Sequence, residues 1–102
     1  MGYMTELNTL IGLPVGFDTS SLVIKETYAI TKDRERSFPL HIAMLIVDSE
    51  WNFYGYGVVH SMKNMNQKCE LEFEVISLFS PEEQNIYKTR FIGAGKFTGE
   101  VK

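Results

Sequence analysis

The sequence has little cysteine, no long apolar run and no excess of positive charge. Cys69 is the only cysteine among 102 residues, so neither an intramolecular disulfide nor a cysteine-based zinc site can form. The longest apolar run, residues 42–47, is far shorter than the roughly 20 residues that a membrane helix needs. Ten basic against thirteen acidic residues give a net charge of −3, which is atypical of a dedicated nucleic-acid-binding domain.

Length and composition predict one globular domain over residues 1–102, since the chain is too short for a second core. Residues 1–12 contain neither a basic start nor a long apolar stretch, so they do not resemble a secretory signal. We therefore expect a cytoplasmic protein without a membrane partner. Cys69 lies among glutamates, and a reactive thiol needs electropositive surroundings, so a packing role is expected for it.

Strand-like runs make up most of the chain. Two apolar runs, 38–48 and 51–62, are separated only by Ser49 and Glu50, which predicts an antiparallel hairpin. Residues 69–75 (CELEFEV) alternate between apolar side chains and glutamates, as a half-buried strand does. The predicted fold is mainly β: an antiparallel meander of five to six strands that closes into a small barrel-like sheet, OB- or PUA-like in character.

One C-terminal helix is predicted after residue 80. Ser80 suits the N-cap, Pro81 the first helical position, and Glu83 the position that closes a capping box. The residues expected to form its buried stripe are Ile86, Tyr87 and Phe91. The sequence Gly-Ala-Gly at 93–95 is expected to end the helix, and residues 96–101 suggest a short last strand.

The stretch 51–61 (WNFYGYGVVHS) combines four aromatic rings with two glycines. A dinucleotide-binding loop would need a third glycine where His60 stands and would have to open a helix. An RNA-recognition strand motif is matched in part, but two of its three ring positions are missing. A twisted strand is the best interpretation, with Gly55 and Gly57 on one side and Tyr54 and Tyr56 on the other.

Other candidate sites have mainly structural explanations. His41 and His60 are expected to lie nearly opposite each other on the hairpin, but no metal-binding spacing such as HxH or HExxH is present. We therefore predict no metal site and no cofactor. The glutamate row on strand 69–75 is typical of a solvated face, and a charged loop at 32–37 offers Arg34 and Arg36 as contacts for phosphate or carboxylate.

Four short motifs follow one another in a fixed order: Glu-Leu-Asn-Thr at 6–9, Pro-Leu-x-Ile at 39–42, Gly-Tyr-x-Val-Val at 55–59 and Ile-Ser-Leu at 76–78. Together they resemble the motifs of a family of short proteins of Gram-positive bacteria. The resemblance covers roughly residues 5–80 and does not reach the segment after Pro81. The family is a domain of unknown function, so the resemblance implies a small bacterial domain and no particular chemistry.

These observations favour a non-catalytic binding module that recognises a protein, peptide or small ligand on an aromatic-bearing sheet face. The predicted contacts are Tyr54, Tyr56 and His60, with Glu6, Asn8 and Arg36 as further candidates, and no catalytic residue. One alternative is an RNA- or nucleotide-interacting small β-barrel, although nucleic acid is not the favoured partner. Another is a small hydrolase or isomerase that uses His60 and a glutamate. The chain is expected to be a monomer or an edge-strand homodimer.

Overall fold

The computed structural model describes residues 6–99 and 101. In this part of the chain seven strands precede one α-helix. The strands are β1 (Glu6–Leu7), β2 (Ile11–Gly12), β3 (Thr27–Asp33), β4 (Arg36–Ser37), β5 (Ala43–Val47), β6 (Phe53–Met65) and β7 (Lys68–Leu78). The helix α1 spans Pro81–Thr98. The protein is therefore mainly β with one C-terminal helix, as the sequence predicts.

Five strands form one mixed sheet in the order β2-β5-β6-β7-β3, while β1 and β4 form a separate parallel pair. The predicted hairpin is confirmed, because β5 and β6 pair antiparallel with Ala43 opposite Val58. However, β2 runs parallel to β5, so the sheet is not the purely antiparallel meander that was predicted.

The sheet is also open, and neither a closed barrel nor an OB- or PUA-like character is supported. In the described residues, the edge strands β2 and β3 share no backbone pairing. The physical reason lies at the end of β2. Leu13 still donates its backbone N–H to the Val47 carbonyl, but Pro14 has no N–H with which to continue, and the chain turns away there.

The core lies on one face of the curved sheet and uses the alternate apolar positions of each strand. On β7 these are Cys69, Leu71, Phe73 and Val75, which are all buried, as the alternation predicts. Cys69 is fully buried, and burial raises the pKa of its thiol above the usual range. Its predicted packing role is confirmed.

A bulge in β6 changes the predicted directions of the aromatic side chains. Ile46 is opposite Gly55 and Val47 is opposite Phe53, so Tyr54 is an extra residue in β6 relative to β5. Consequently Tyr54 packs against the core, whereas Tyr56 packs beside Phe79 on the opposite face. The prediction that the two tyrosines share one face was wrong.

The helix begins as predicted and ends later than predicted. Ser80 Oγ accepts from the Glu83 backbone, and the Glu83 carboxylate accepts from the Ser80 N–H, which completes the capping box. The two glycines at 93 and 95 do not end the helix, because glycine costs only about 1 kcal/mol inside one. Gly95 is buried against Val101, where a Cβ would be crowded. Residues 96–98 are therefore helical, and no strand forms there.

Helix α1 lies on β6 through aromatic rings. Tyr87 and Phe91 belong to the predicted buried stripe and do pack, but Ile86 is 58% exposed and does not. The helix ends at Gly99, whose φ of 86° is a left-handed conformation that glycine adopts without strain. Within the described residues, no helix combines the length and the apolar character needed to cross a membrane.

Candidate functional site

A cleft of about 480 Å³ lies beside the open edges of the sheet, and we call it the edge cleft. It receives residues from both edge strands, from β4 and from the turn between β5 and β6. Its apolar lining includes Leu10, Leu13, Pro14, Phe38, Val47 and Trp51. Its polar lining includes Asn8, Thr31, Lys32, Asp33, Arg36 and Ser49. Two of the predicted contacts, Asn8 and Arg36, are thus brought together here.

Asn8 contributes a buried acceptor without a donor. Its backbone N–H donates to the Ser37 carbonyl at 2.8 Å, which fixes the main chain next to β4. Its side-chain Oδ1 is buried, and no hydrogen bond to it is formed by the described residues. Buried polar atoms in folded proteins are nearly always paired, so this oxygen requires an explanation.

Lys32 connects the two open edges of the sheet. Its Nζ, on β3, donates to the carbonyl oxygen of Gly12, on β2, at 2.7 Å. A Cβ at position 12 would lie 3.1 Å from this Nζ, so the glycine allows the close approach. A side chain thereby links the two strands at a place where their backbones do not pair, and an ammonium group lies in the cleft.

Hydrogen bonds hold Arg36 at its backbone and at the Nε atom of its guanidinium. Asn64 accepts from the Arg36 N–H at 3.0 Å and donates to the Arg36 carbonyl at 2.8 Å. Nε donates to the Asp33 carbonyl at 2.8 Å. To the residues that the structure describes, the two terminal amino groups of Arg36 make no hydrogen bond. The guanidinium thus keeps two donor-bearing nitrogens for another partner.

Asp48 also borders the cleft, but its carboxylate belongs to the turn. It accepts from the Glu50 N–H, the Asn52 N–H, the Asn52 Nδ2 and the Tyr54 hydroxyl at 2.8–3.0 Å. Burial alone would raise the pKa of this carboxyl, but the hydrogen bonds, led by that of the Asn52 backbone, outweigh burial and hold the pKa below its usual range. Asp48 is therefore an ionised, saturated turn residue.

Trp51 joins the cleft to the helix. It is the only tryptophan of the sequence, lines the cleft and stacks on Phe91 of α1 with ring centroids 4.8 Å apart. Its φ of 65° lies in the left-handed region, which is uncommon for a bulky residue and is compatible with the tight turn after Asp48. The packing of this ring therefore provides an optical signal from the edge cleft.

The other predicted contacts lie elsewhere. The Tyr54 hydroxyl donates to the Asp48 carboxylate. Burial raises the pKa of the phenol, and this hydrogen bond raises it further. Tyr56 lies under the helix, where its hydroxyl is 3.2 Å from that of Tyr87. The backbone of Glu6 pairs with that of Arg36 in the β1–β4 ladder. The ligand-binding roles given to Tyr54, Tyr56 and Glu6 stay predictions.

His60 lies close to a glutamate and to His41, as the sequence suggested, but on an exposed surface of the sheet. Its Nε2 lies 2.8 Å from the Glu74 Oε1, and its ring centroid is 5.6 Å from that of His41. The two histidines are therefore close, as predicted. Across residues 6–99 and 101, no group of three or more His, Cys, Asp or Glu residues is arranged to hold a metal ion.

Sequence reasoning did not identify Lys32 and Trp51 as site residues. Lys32 was treated as part of a charged loop, and Trp51 as a strand residue beside the glycines. Neither carries a local signal for the cleft, because the cleft is formed where separate segments meet at the two sheet edges. The parallel addition of β2 to β5, which the sequence did not predict, brings one of these segments to the edge of the sheet.

The fold has a counterpart among solved structures. The crystal structure of protein ytmB from Bacillus subtilis, a structural-genomics target, aligns with a TM-score of 0.64 and 24% sequence identity. The alignment covers 79% of this chain and 98% of that chain. No protein-family model matches the chain, and no curated protein matches it. The similarity shows the fold alone, and the resemblance to the Gram-positive family stays a prediction.

Proposed function

We propose that the protein is a non-catalytic binding module that holds a small ligand in the edge cleft. The cleft volume of about 480 Å³ lies in the range of small-molecule sites, which are mostly apolar with a few placed polar groups. Its lining has this character, with Trp51 and aliphatic side chains on one side and Asn8, Lys32 and Arg36 as polar groups.

The observation that carries the proposal is the buried Asn8 oxygen. An unpaired buried acceptor lowers the stability of the folded state by about 1–3 kcal/mol. Rotation of the half-buried Asn8 side chain turns this oxygen toward the cleft, where a ligand N–H or O–H group that donates to it recovers this energy. Sites that bind ligands commonly contain such locally unfavourable groups, whereas packed cores do not.

The geometry gives less support to the alternatives. Among the described lining residues there is no histidine or cysteine, and the Asp48 carboxylate is already bonded to four donors. Tyr54 and Tyr56 pack on opposite faces of the sheet, so they do not form the continuous surface on which bases would stack. A small ligand is therefore the better proposal.

The proposal predicts where a neutral probe binds. In an amide NMR titration, benzamide offers an apolar ring and an N–H donor, and we expect its shift changes to cluster at residues 8–15, 31–38 and 47–51. Thr31→Trp places a large side chain on the cleft lining and should weaken benzamide binding roughly tenfold or more.

The matched control is Thr27→Trp. Thr27 is exposed on the same strand, four residues from Thr31, and does not line the edge cleft. This variant should bind benzamide as the unmodified protein does. Shift changes centred on the exposed His60–Glu74 pair, equal weakening by both variants, or no shift change at all would contradict the proposal.

A further inference from the structure

We infer that the natural ligand of the edge cleft is a small oxyanion, a carboxylate or phosphate, that also carries a hydroxyl or N–H donor. This inference rests on the proposed function and adds the chemical class of the ligand. Arg36 is its main element, because two nitrogens of its guanidinium make no hydrogen bond within the described residues. A planar guanidinium binds carboxylate or phosphate through two parallel N–H···O bonds.

The position of Arg36 is set before any ligand arrives. Asn64 holds the backbone at both its N–H and its carbonyl, and the Asp33 carbonyl accepts from Nε. A side chain that is already fixed at its backbone and at Nε loses less conformational entropy on binding than a free one. The arginine is therefore organised for an anion and is not a freely moving surface charge.

Within the described residues, neither carboxylate of the cleft forms an ion pair with Arg36. The cleft is lined by two cations, Lys32 and Arg36, and by two carboxylates, Asp33 and Asp48. The carboxylate of Asp48 is saturated by its four donors within the turn. Asp33 is directly opposite Lys68 in the β3–β7 ladder, on the same face of the sheet. The Arg36 guanidinium therefore keeps its positive charge for an anion.

The buried Asn8 oxygen sets the second requirement. An anion alone has only acceptor atoms and would leave this oxygen unpaired. A molecule that places an oxyanion on Arg36 and an N–H or O–H on Asn8 satisfies both groups, with an apolar part left for Trp51 and Leu13. Hippurate has this combination of carboxylate, amide N–H and phenyl ring, and its primary amide is a neutral control of nearly the same shape.

The test compares these probes by Trp51 fluorescence, with amide shifts to confirm the location. We expect the unmodified protein to bind hippurate roughly tenfold or more tightly than its amide, as expected for a charge-assisted pair. Arg36→Gln should remove this difference and leave the affinity for the amide within about twofold. Arg36→Lys keeps the charge without the planar fork, so it should keep only part of the difference in affinity between hippurate and its amide.

Arg90→Gln is the matched control, because Arg90 is exposed on α1 and does not line the cleft. Equal binding of hippurate and its amide by the unmodified protein would overturn the inference and leave the proposed function standing. Tighter binding of benzylamine, a cation, than of hippurate would also overturn the inference and leave the proposed function standing. N-Benzoylphosphoethanolamine has the same phenyl ring and amide N–H as hippurate, so testing the two together distinguishes a phosphate ligand from a carboxylate ligand, and preference for either supports the inference. If no probe binds in the cleft, the proposed function fails as well.

Discussion

Gly55→Ala is expected to destabilise the protein by about 3 kcal/mol or more. A Cβ at this position would overlap the Ser77 carbonyl oxygen and would lie 2.9 Å from the Leu78 Cα. Both contacts are backbone atoms of the neighbouring strand, so no side chain can move to relieve them. The substitution should separate β6 from β7 at the bulge, and urea unfolding followed by circular dichroism measures the loss.

Gly93→Ala is the control for this prediction, because it makes the same chemical change without a clash. A Cβ at Gly93 would meet no atom within 4 Å, and the position lies inside α1. Alanine is the better helix former, so this variant should gain up to about 1 kcal/mol. If Gly55→Ala unfolds within about 1 kcal/mol of the unmodified protein, the close approach of the two strands is not as described.

Phe53→Ala is expected to cost about 3–5 kcal/mol and to release the helix from the sheet. Phe53 is fully buried, and its ring lies 6.3 Å from that of Tyr87 and 5.2 Å from that of Phe91. Phe53 is the ring of β6 that contacts both helix rings, so its removal leaves α1 with Trp51, Tyr56 and Phe79 as aromatic contacts and should loosen the helix. Hydrogen exchange of the helix amides and Trp51 fluorescence report the release.

Ile86→Ala provides the comparison on the same helix. Ile86 is 58% exposed, so this truncation should change the free energy of unfolding by no more than about 0.5 kcal/mol. If Phe53→Ala left the exchange of the helix amides unchanged, the aromatic rings would not be what holds the helix.

The parts of the fold that the sequence predicts are those with short-range causes. Alternation of apolar side chains and glutamates predicts the buried face of β7, and two residues between apolar runs predict the β5–β6 hairpin. Ser80, Pro81 and Glu83 predict the start of the helix, because a capping box is a contact between neighbouring residues.

The parts that could not be predicted depend on distant contacts. The two residues of β2 add parallel to β5, and no local pattern marks so short an edge strand. The bulge at Tyr54 becomes apparent only when β5 and β6 are paired, and it places two tyrosines two residues apart on opposite faces. The room for a Cβ at position 95 is taken by Val101, a contact made after the helix has ended.

Some residues of the edge cleft could be predicted from the sequence, and others could not. Asn8 was proposed as a contact because it is a polar exception in the mostly apolar motifs, and Arg36 because an arginine of the charged loop can bind phosphate or carboxylate. Their proximity follows from the β1–β4 pairing, in which Asn8 donates to the Ser37 carbonyl directly after Arg36. Lys32 and Trp51 enter the cleft from β3 and from the β5–β6 turn, and their roles require the assembled sheet.

Asn8→Leu is the measurement that tests the edge cleft most directly. If the Asn8 oxygen is kept unpaired for a ligand, an apolar side chain of similar size should raise the free energy of unfolding by about 1 kcal/mol and weaken benzamide binding roughly five- to tenfold. Urea unfolding and an NMR titration on the same variant give both numbers. A variant that is less stable by 1 kcal/mol or more and binds benzamide unchanged would contradict the account, because Asn8 would then serve the fold and not a ligand.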